Sequence, residues 1–237
     1  MKMVRSKDWL YRSGWVLVRS FARLVWRLEV QGEANVPLEG GVIIASNHLS
    51  LLDPPLIGCA CPRELRFLAK AELFRYGLFA KLIRRLGAFP VERGTADVGA
   101  IKTALQFLKD GYAVIIFIEG TRGTGEHLLP PTPGVTLLAR QSGAPVVPTA
   151  IVGSEHAWRK GAKLPRRAQV KVAFGEPIRY QEVFGTRTDR AARDAFSELI
   201  MERIEALTHQ LGHPILRLSQ KAGSAASPTD PAPPRTV

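Results

Sequence analysis

A histidine and an aspartate separated by four residues, in Asn47-His48-Leu49-Ser50-Leu51-Leu52-Asp53-Pro54-Pro55, are the first residues here whose types and spacing could do chemistry. An imidazole held by a carboxylate is the pairing that orients a histidine as a general base. The run Val42-Ile43-Ile44 reads as a buried strand leading into His48. Asp53 followed by Pro54 reads as a helix start, with Asp53 as N-cap and Pro54 as the first helical residue. A tight turn between strand and helix can then bring the two side chains together. On these residues alone, an aspartate that only caps its helix beside an ordinary loop histidine is an equally good reading. Ser50 is a doubtful nucleophile only two residues from His48, and the chain lacks a Gly-x-Ser-x-Gly elbow.

Two further polar clusters follow apolar runs. Glu92-Arg93-Gly94 follows Gly87-Ala88-Phe89-Pro90-Val91, and Glu119-Gly120-Thr121-Arg122-Gly123 follows Val114-Ile115-Ile116-Phe117-Ile118. Arg93 and Arg122 can each grip a phosphate bidentately. Gly120 permits close backbone approach. Lys70, after Phe67-Leu68-Ala69, is a further cation of the same kind. Singly, each has a plainer explanation: Arg93 and Lys70 as solvated surface charges, Arg122 and Glu119 as a local ion pair across a glycine turn. Converging on one sheet edge, they would form a site for an anionic substrate.

The elements needed for such convergence are legible as an alternation. Strands are predicted over Leu28 to Gly32, Val42 to Ser46, Leu65 to Ala69, Ala88 to Val91, Ala113 to Ile118, Val146 to Val152 and Gln169 to Phe174. Helices are predicted over Pro54 to Cys61, Tyr76 to Leu86, Ala96 to Lys109, Pro133 to Gln141 and Asp189 to Leu211. The pattern is that of an α/β domain, with a twisted, largely parallel or mixed sheet of about seven strands covered by helices. Ligands of such sheets bind outside the carboxyl ends of the strands, where all three clusters fall. The domain is expected over residues 29–218. From residue 219 to 237 the chain is rich in Pro, Ala and Ser and reads as a disordered tail.

Residues 1–28 form a separate unit. At about 100° per residue, Arg12, Arg19, Arg23 and Arg27 share one stripe of a helix from about residue 6, while Leu10, Leu17, Phe21, Leu24 and Leu28 occupy the opposite face, with Val18 and Val25 beside them. Trp9, Trp15 and Trp26 lie nearer the polar side, where their rings would meet lipid headgroups. This is the pattern of an in-plane anchor at an anionic membrane interface. A surface helix packed on its own domain, with solvated arginines, is the alternative. The formal net charge of +12 likewise implies a polyanionic partner. No stretch reaches transmembrane length, and arginines interrupt any signal-like apolar core. Cys59 and Cys61, one residue apart, fit neither zinc nor redox spacing and read as buried thiols in a reducing compartment.

Taken in order, these segments resemble the 1-acyl-glycerol-3-phosphate acyltransferase (PlsC-like) family of glycerolipid acyltransferases. Asn47 to Pro54 resembles the family's first motif, a His and an Asp four residues apart, and Gly87 to Arg93 resembles the second, which ends in a substrate-binding arginine. Phe117-Ile118-Glu119-Gly120-Thr121-Arg122 resembles the third, with Ile118 and Gly123 in place of the usual proline and serine. Ala144 to Ala150 resembles the fourth, an apolar strand with a proline. The resemblance spans about residues 28 to 180. It implies transfer of a fatty acyl group from acyl-CoA or acyl-ACP to the 2-hydroxyl of 1-acyl-sn-glycerol 3-phosphate, giving phosphatidic acid. His48 and Asp53 are then the catalytic pair, with Lys70, Arg93, Glu119, Gly120, Thr121 and Arg122 binding substrate. No cofactor or metal is expected. The implied location is the cytoplasmic face of the membrane, peripheral or monotopic. Other readings are acylation of a lyso-ornithine lipid or of glycerol 3-phosphate, a non-catalytic lipid-binding relative, or a nucleic-acid-binding module. The last has little beyond charge to support it.

Overall fold

A strand that is apolar at every position must be covered on both faces, and the sequence contains several. The computed structural model describes residues 9–85, 87–91, 98–159, 161–162 and 164–218. In chain order the elements are α1 (Trp9–Trp26), β1 (Glu29–Gln31), β2 (Val42–Ser46), α2 (Asp53–Ala60), β3 (Leu65–Lys70), α3 (Gly77–Arg85), β4 (Ala88–Val91), α4 (Val98–Lys109) and β5 (Ala113–Phe117). There follow β6 (His127–Leu128), α5 (Gly134–Ser142), β7 (Val146–Val152), α6 (Ser154–Ala157), β8 (Lys171–Phe174), α7 (Tyr180–Phe184), α8 (Arg190–Gln210) and β9 (Leu216–Arg217). The main sheet has seven strands in the order β1-β8-β7-β2-β5-β3-β4. All its pairings are parallel except β7 with β8, so the sheet is mixed and mostly parallel, as expected. β6 and β9 form a separate two-stranded pair.

Every residue of β2 is buried, because β2 is central and both its faces are covered. Alternation along the strand divides its side chains between two layers. Ile43 and Ala45 join one core with Val114, Ile116 and Val146, closed by α5 and α8. Val42 and Ile44 join the other with Ala113, Ile115 and Val147, closed by α1 and α2. On α8, Phe196, Ile200, Ile204 and Leu207 recur at helical spacing and supply the first layer's cover. Asp189 caps α8 by accepting the Ala192 N–H at 3.0 Å.

The register sets the site. Ser46 at the end of β2 stands opposite Phe117 at the end of β5 and Thr149 in β7. At the neighbouring edge, Lys70 of β3 stands opposite Val91 of β4. The carboxyl ends of β2, β5, β3 and β4 therefore lie in a row, and each opens into one of the polar segments singled out above.

Two expectations about local structure need correction. Asp53 is not the N-cap of its helix: Leu52 holds that position, Asp53 is the first helical residue, and its side chain makes no capping bond. Pro54 and Pro55 explain why. They carry no N–H, and the next donor, Leu56 N–H, already bonds Leu52 O at 2.9 Å. A carboxylate at residue 53 has nothing to cap ahead of it and turns back toward its own loop.

The second correction concerns α1. Its aromatic, partly basic side faces the domain rather than lipid headgroups. Trp15 is buried and donates its ring N–H to Cys61 O at 3.1 Å, and Trp26 is buried and donates to Arg166 O at 2.9 Å. Arg19, only 2% exposed, donates to the carbonyls of Cys59 (3.1 Å) and Ala60 (3.3 Å) at the end of α2 and pairs with Glu33 at 2.9 Å. A guanidinium can enter the interface because it caps the negative end of α2. Arg27 leaves the stripe altogether, since α1 ends at Trp26 and Arg27 takes φ 44°. The leucine face is the one left outside: Leu17, Phe21 and Leu24 are 70%, 53% and 83% exposed. Trp9 and Leu10 contribute no described side chain, and residues 219–237 lie outside the described residues. Among the described residues no helix is long and apolar enough to cross a membrane.

Cys59 and Cys61 are both free and buried, and burial pushes each thiol up to about 12. They are packing residues, not reactive thiols. Replacing Arg19 by Met should strand two α2 carbonyls and Glu33. A destabilisation of roughly 3 kcal/mol in urea unfolding is expected; a change below about 0.5 kcal/mol would show that Arg19 does not bind α1 to α2.

Candidate active site

The turn between β2 and α2 closes around one oxygen atom. Asp53 Oδ2 accepts the N–H of Leu49 at 2.6 Å and that of Ser50 at 2.8 Å, and lies 2.8 Å from His48 Nδ1. Asp53 is fully buried and His48 nearly so. An ionised carboxylate here keeps the imidazole proton on Nδ1, which leaves Nε2 as the lone-pair acceptor. Nε2 has no hydrogen-bond partner among the described residues. Asp53 Oδ1 is buried without a partner among them as well. Half of a buried carboxylate is thus unsatisfied among the described residues.

The ring is also held from the side. Phe117, the last residue of β5, stacks on His48 with centroids 3.9 Å apart and planes 18° from parallel. Asn47 continues the β2–β7 ladder with its side chain: Nδ2 donates to Ile151 O and Oδ1 accepts Ile151 N–H, both at 2.9 Å. Ser50 Oγ donates to Trp158 O at 3.0 Å, so its proton is committed away from His48. Among these positioning groups, Phe117 and Asn47 stand inside the quoted motifs, yet nothing in their spacing separates them from core residues. Their signal lies in the strand register.

Glu119 braces the loop from the β5 side. Its Oε1 accepts the N–H of His48 at 2.8 Å, and its Oε2 accepts the N–H of Leu129 at 3.0 Å. Gly123 N–H in turn donates to His48 O at 2.8 Å. Both backbone groups of His48 are therefore bonded to the segment after β5. Gly120 makes the turn possible with φ +69°, and a Cβ there would meet Thr132 Cγ2 at 3.0 Å. Burial raises the Glu119 carboxyl to about 7 against its two N–H bonds, with the nearby Asp53 charge adding to the rise.

Of the candidate substrate-binding groups, Glu119, Gly120, Thr121 and Arg122 follow β5 directly beside His48. Thr121 is exposed; Arg122 is half-buried and has no ion-pair partner among the described residues. The local Arg122–Glu119 pair allowed by the sequence is not formed, because both Glu119 oxygens face backbone N–H groups. Lys70 ends β3 on the same edge, though its side chain lies outside the description. Arg93 lies outside the described residues, two positions beyond the end of β4.

A family model described as Acyltransferase matches residues 27–152, which include the whole His48–Asp53 turn and the segment after β5. The chain belongs to the acyltransferase family. It is 31% identical over 185 residues to the 1-acyl-sn-glycerol-3-phosphate acyltransferase of Bacillus subtilis, covering 78% of this chain and 89% of that protein. It is 36% identical over 138 residues to a lyso-ornithine lipid O-acyltransferase of Pseudomonas aeruginosa, covering 58% of this chain and 52% of that one. The crystal structure of PlsC, the 1-acyl-sn-glycerophosphate acyltransferase of Thermotoga maritima, superposes with a TM-score of 0.71 at 25% identity. That match covers 92% of this chain and 86% of the other. For an acyltransferase, a buried, oriented imidazole with one open nitrogen is the group that can take a proton from an attacking hydroxyl.

The two-donor grip of Glu119 makes a conservative substitution informative. Glu119→Gln presents an amide NH2 to one of two backbone N–H donors, and should destabilise the fold by about 1–3 kcal/mol in urea unfolding. The raised carboxyl adds a pH signature. The native state binds a proton that the unfolded state releases near 4.5, so this contribution is present below pH 4.5 and is lost as pH rises through about 7. The stability difference, wild type minus variant, should therefore shrink across that window; a constant difference would place Glu119 outside it.

Proposed function

We propose that this acyltransferase moves a fatty acyl group from acyl-CoA or acyl carrier protein to the 2-hydroxyl of 1-acyl-sn-glycerol 3-phosphate, forming phosphatidic acid. The observation that carries the proposal is the buried His48 Nδ1–Asp53 Oδ2 contact of 2.8 Å, with Nε2 open at the strand ends. Nε2 takes the acceptor hydroxyl proton as the oxygen attacks the thioester carbonyl carbon. The C–S bond then breaks, and the departing thiolate recovers the proton from Nε2. Asp53 holds the tautomer before transfer and faces the imidazolium after it. The step runs by direct transfer, for which the engaged hydroxyl of Ser50 is not required.

Arg122, beside the His48 loop, supplies a bidentate donor for the acceptor phosphate, with Lys70 at the end of β3 and Arg93, two positions past β4 in the sequence, as further cations for it. Thr121 and the backbone at Gly120 shape the pocket, and Glu119 holds its wall in place. A net charge of +12 suits a phosphorylated acceptor, a polyanionic thioester carrier and an anionic lipid surface. A second reading, acylation of a lyso-ornithine lipid, draws support from the 36% identity to the Pseudomonas enzyme.

Lysophospholipid substrates reside in bilayers, and the exposed Leu17, Phe21 and Leu24 form an apolar row suited to the interface. We place the enzyme peripherally on the cytoplasmic face of the membrane, where soluble thioester donors meet lipid acceptors.

Purified enzyme in lipid, offered lysophosphatidate, lyso-ornithine lipid and glycerol 3-phosphate in turn, should release free thiol fastest with lysophosphatidate. Turnover confined to another acceptor would reassign the substrate. His48→Ala and Asp53→Asn should keep native circular dichroism and lose about 10³-fold or more in kcat; near wild-type turnover in either removes the pair from the mechanism. The triple variant Leu17→Glu, Phe21→Glu, Leu24→Glu should lose flotation with anionic liposomes while its Tm stays within a few degrees, since all three side chains are exposed. Undiminished flotation would reject this face as the membrane contact.

A further inference from the structure

Away from the His48 loop, three chemistry-bearing side chains from distant parts of the chain meet beyond the end of β7. Glu155 and His156 lie on the short α6, and His213 lies in the segment after α8. His156 Nε2 is 3.3 Å and His213 Nε2 is 3.6 Å from the same oxygen, Glu155 Oε1, and the three ligand atoms all lie within 4.8 Å of one another. Four ligands on a tetrahedral ion with bonds of about 2.0–2.1 Å stand about 3.4 Å apart. Two of the three ligand separations are already at that spacing. Both imidazoles are at least partly exposed, so small rotations can bring in the third.

Glu155 supplies an independent reason. It is only 8% exposed, and its second oxygen, Oε2, is buried with no hydrogen-bond partner among the described residues. Its side chain is pressed against the turn at Gly125, where a Cβ would stand 3.1 Å from Glu155 Cγ and where φ is +89°. Among the described residues this buried carboxylate pairs only with two imidazoles, which carry no fixed compensating charge. A divalent cation supplies it.

We propose that Glu155, His156 and His213 form a binding site for a zinc-class divalent transition-metal ion, with water completing the coordination. Two imidazole nitrogens and one carboxylate favour such an ion over magnesium or calcium, which prefer all-oxygen sets. The ion would clasp the segment after α8 to the turn after β7. It would do so against Gly125, in the same segment that carries Arg122 and bonds to His48 through Gly123. The ligands stand in two places nearly sixty residues apart, which is why spacing rules applied to the sequence pass over them.

The test uses the full chain after chelator treatment, titrated calorimetrically with zinc chloride alone. Saturable binding of one equivalent is expected, with a Tm rise of roughly 5 to 10 °C at about a hundredfold excess over Kd. Magnesium chloride should produce neither. His156→Ala and His213→Ala, singly and together, should weaken zinc binding by about a hundredfold or more and abolish the Tm rise, with circular dichroism unchanged. His209→Ala, on the exposed side of α8, should bind as wild type does. Absence of saturable binding by the wild-type protein, binding unaltered in the double variant, or an equal response to magnesium would each overturn the proposal.

Discussion

Asp53 Oδ2 is the atom on which the geometry of the site depends. One buried oxygen gathers the imidazole of His48 and the N–H groups of Leu49 and Ser50, so a single carboxylate sets the course of the turn and the tautomer of the imidazole. Three donors on one acceptor are tolerable because the acceptor is charged and the alternatives ahead of it have been removed by Pro54 and Pro55. Replacing either proline with a residue bearing an N–H would open a competing partner for the carboxylate. The helix start and the His48–Asp53 pair are therefore one device, in which the prolines leave the aspartate free to face backward.

A second carboxylate completes the mounting. Glu119 accepts the N–H of His48, and Gly123 donates to its carbonyl, so the residue hangs between β5 and Asp53 with no free backbone group. Two buried acids on either side of one imidazole would repel each other if both were ionised, and burial together with the charge of Asp53 raises the Glu119 carboxyl to about 7. The two acids differ in duty. Asp53 addresses the side chain of His48, and Glu119 addresses its main chain. That division leaves Arg122 half-buried beside the His48 loop, with no ion-pair partner among the described residues.

α1 combines two tasks on opposite faces. Tyr11, Trp15, Arg19 and Trp26 bind it to the domain through hydrogen bonds to backbone groups far away in sequence. Leu17, Phe21 and Leu24 are left outward. A helical-wheel reading assigns arginine and tryptophan to water or headgroups because it prices each residue by its own polarity. The folded chain prices Arg19 by its partners, and the helix-end carbonyls of Cys59 and Ala60, together with Glu33, make a buried guanidinium favourable.

Much of the fold was legible locally. The strands Val42–Ser46, Ala88–Val91 and Val146–Val152 have the boundaries read from the sequence, because largely apolar runs between turn residues leave few alternatives. Both ends of α8 and both ends of α2 moved by a residue, since terminal hydrogen bonds depend on neighbours. His48, Asp53 and the segment after β5 could be named as candidates because strand ends collect ligands in such sheets. By itself, the sequence determined the alternation of elements, the order of the polar loops and the residue types they carry, since these follow from periodicity and side-chain chemistry along a short stretch. Only the tertiary structure decided which oxygen of Asp53 meets His48, that Glu119 holds backbone rather than Arg122, that Phe117 stacks on the imidazole, and that Glu155 meets His213. The Phe117 and Glu119 contacts rest on the β2–β5 register, the choice of Asp53 oxygen on the path of the turn, and the Glu155–His213 contact on packing between segments nearly sixty residues apart, and none of these is encoded in residue type and spacing.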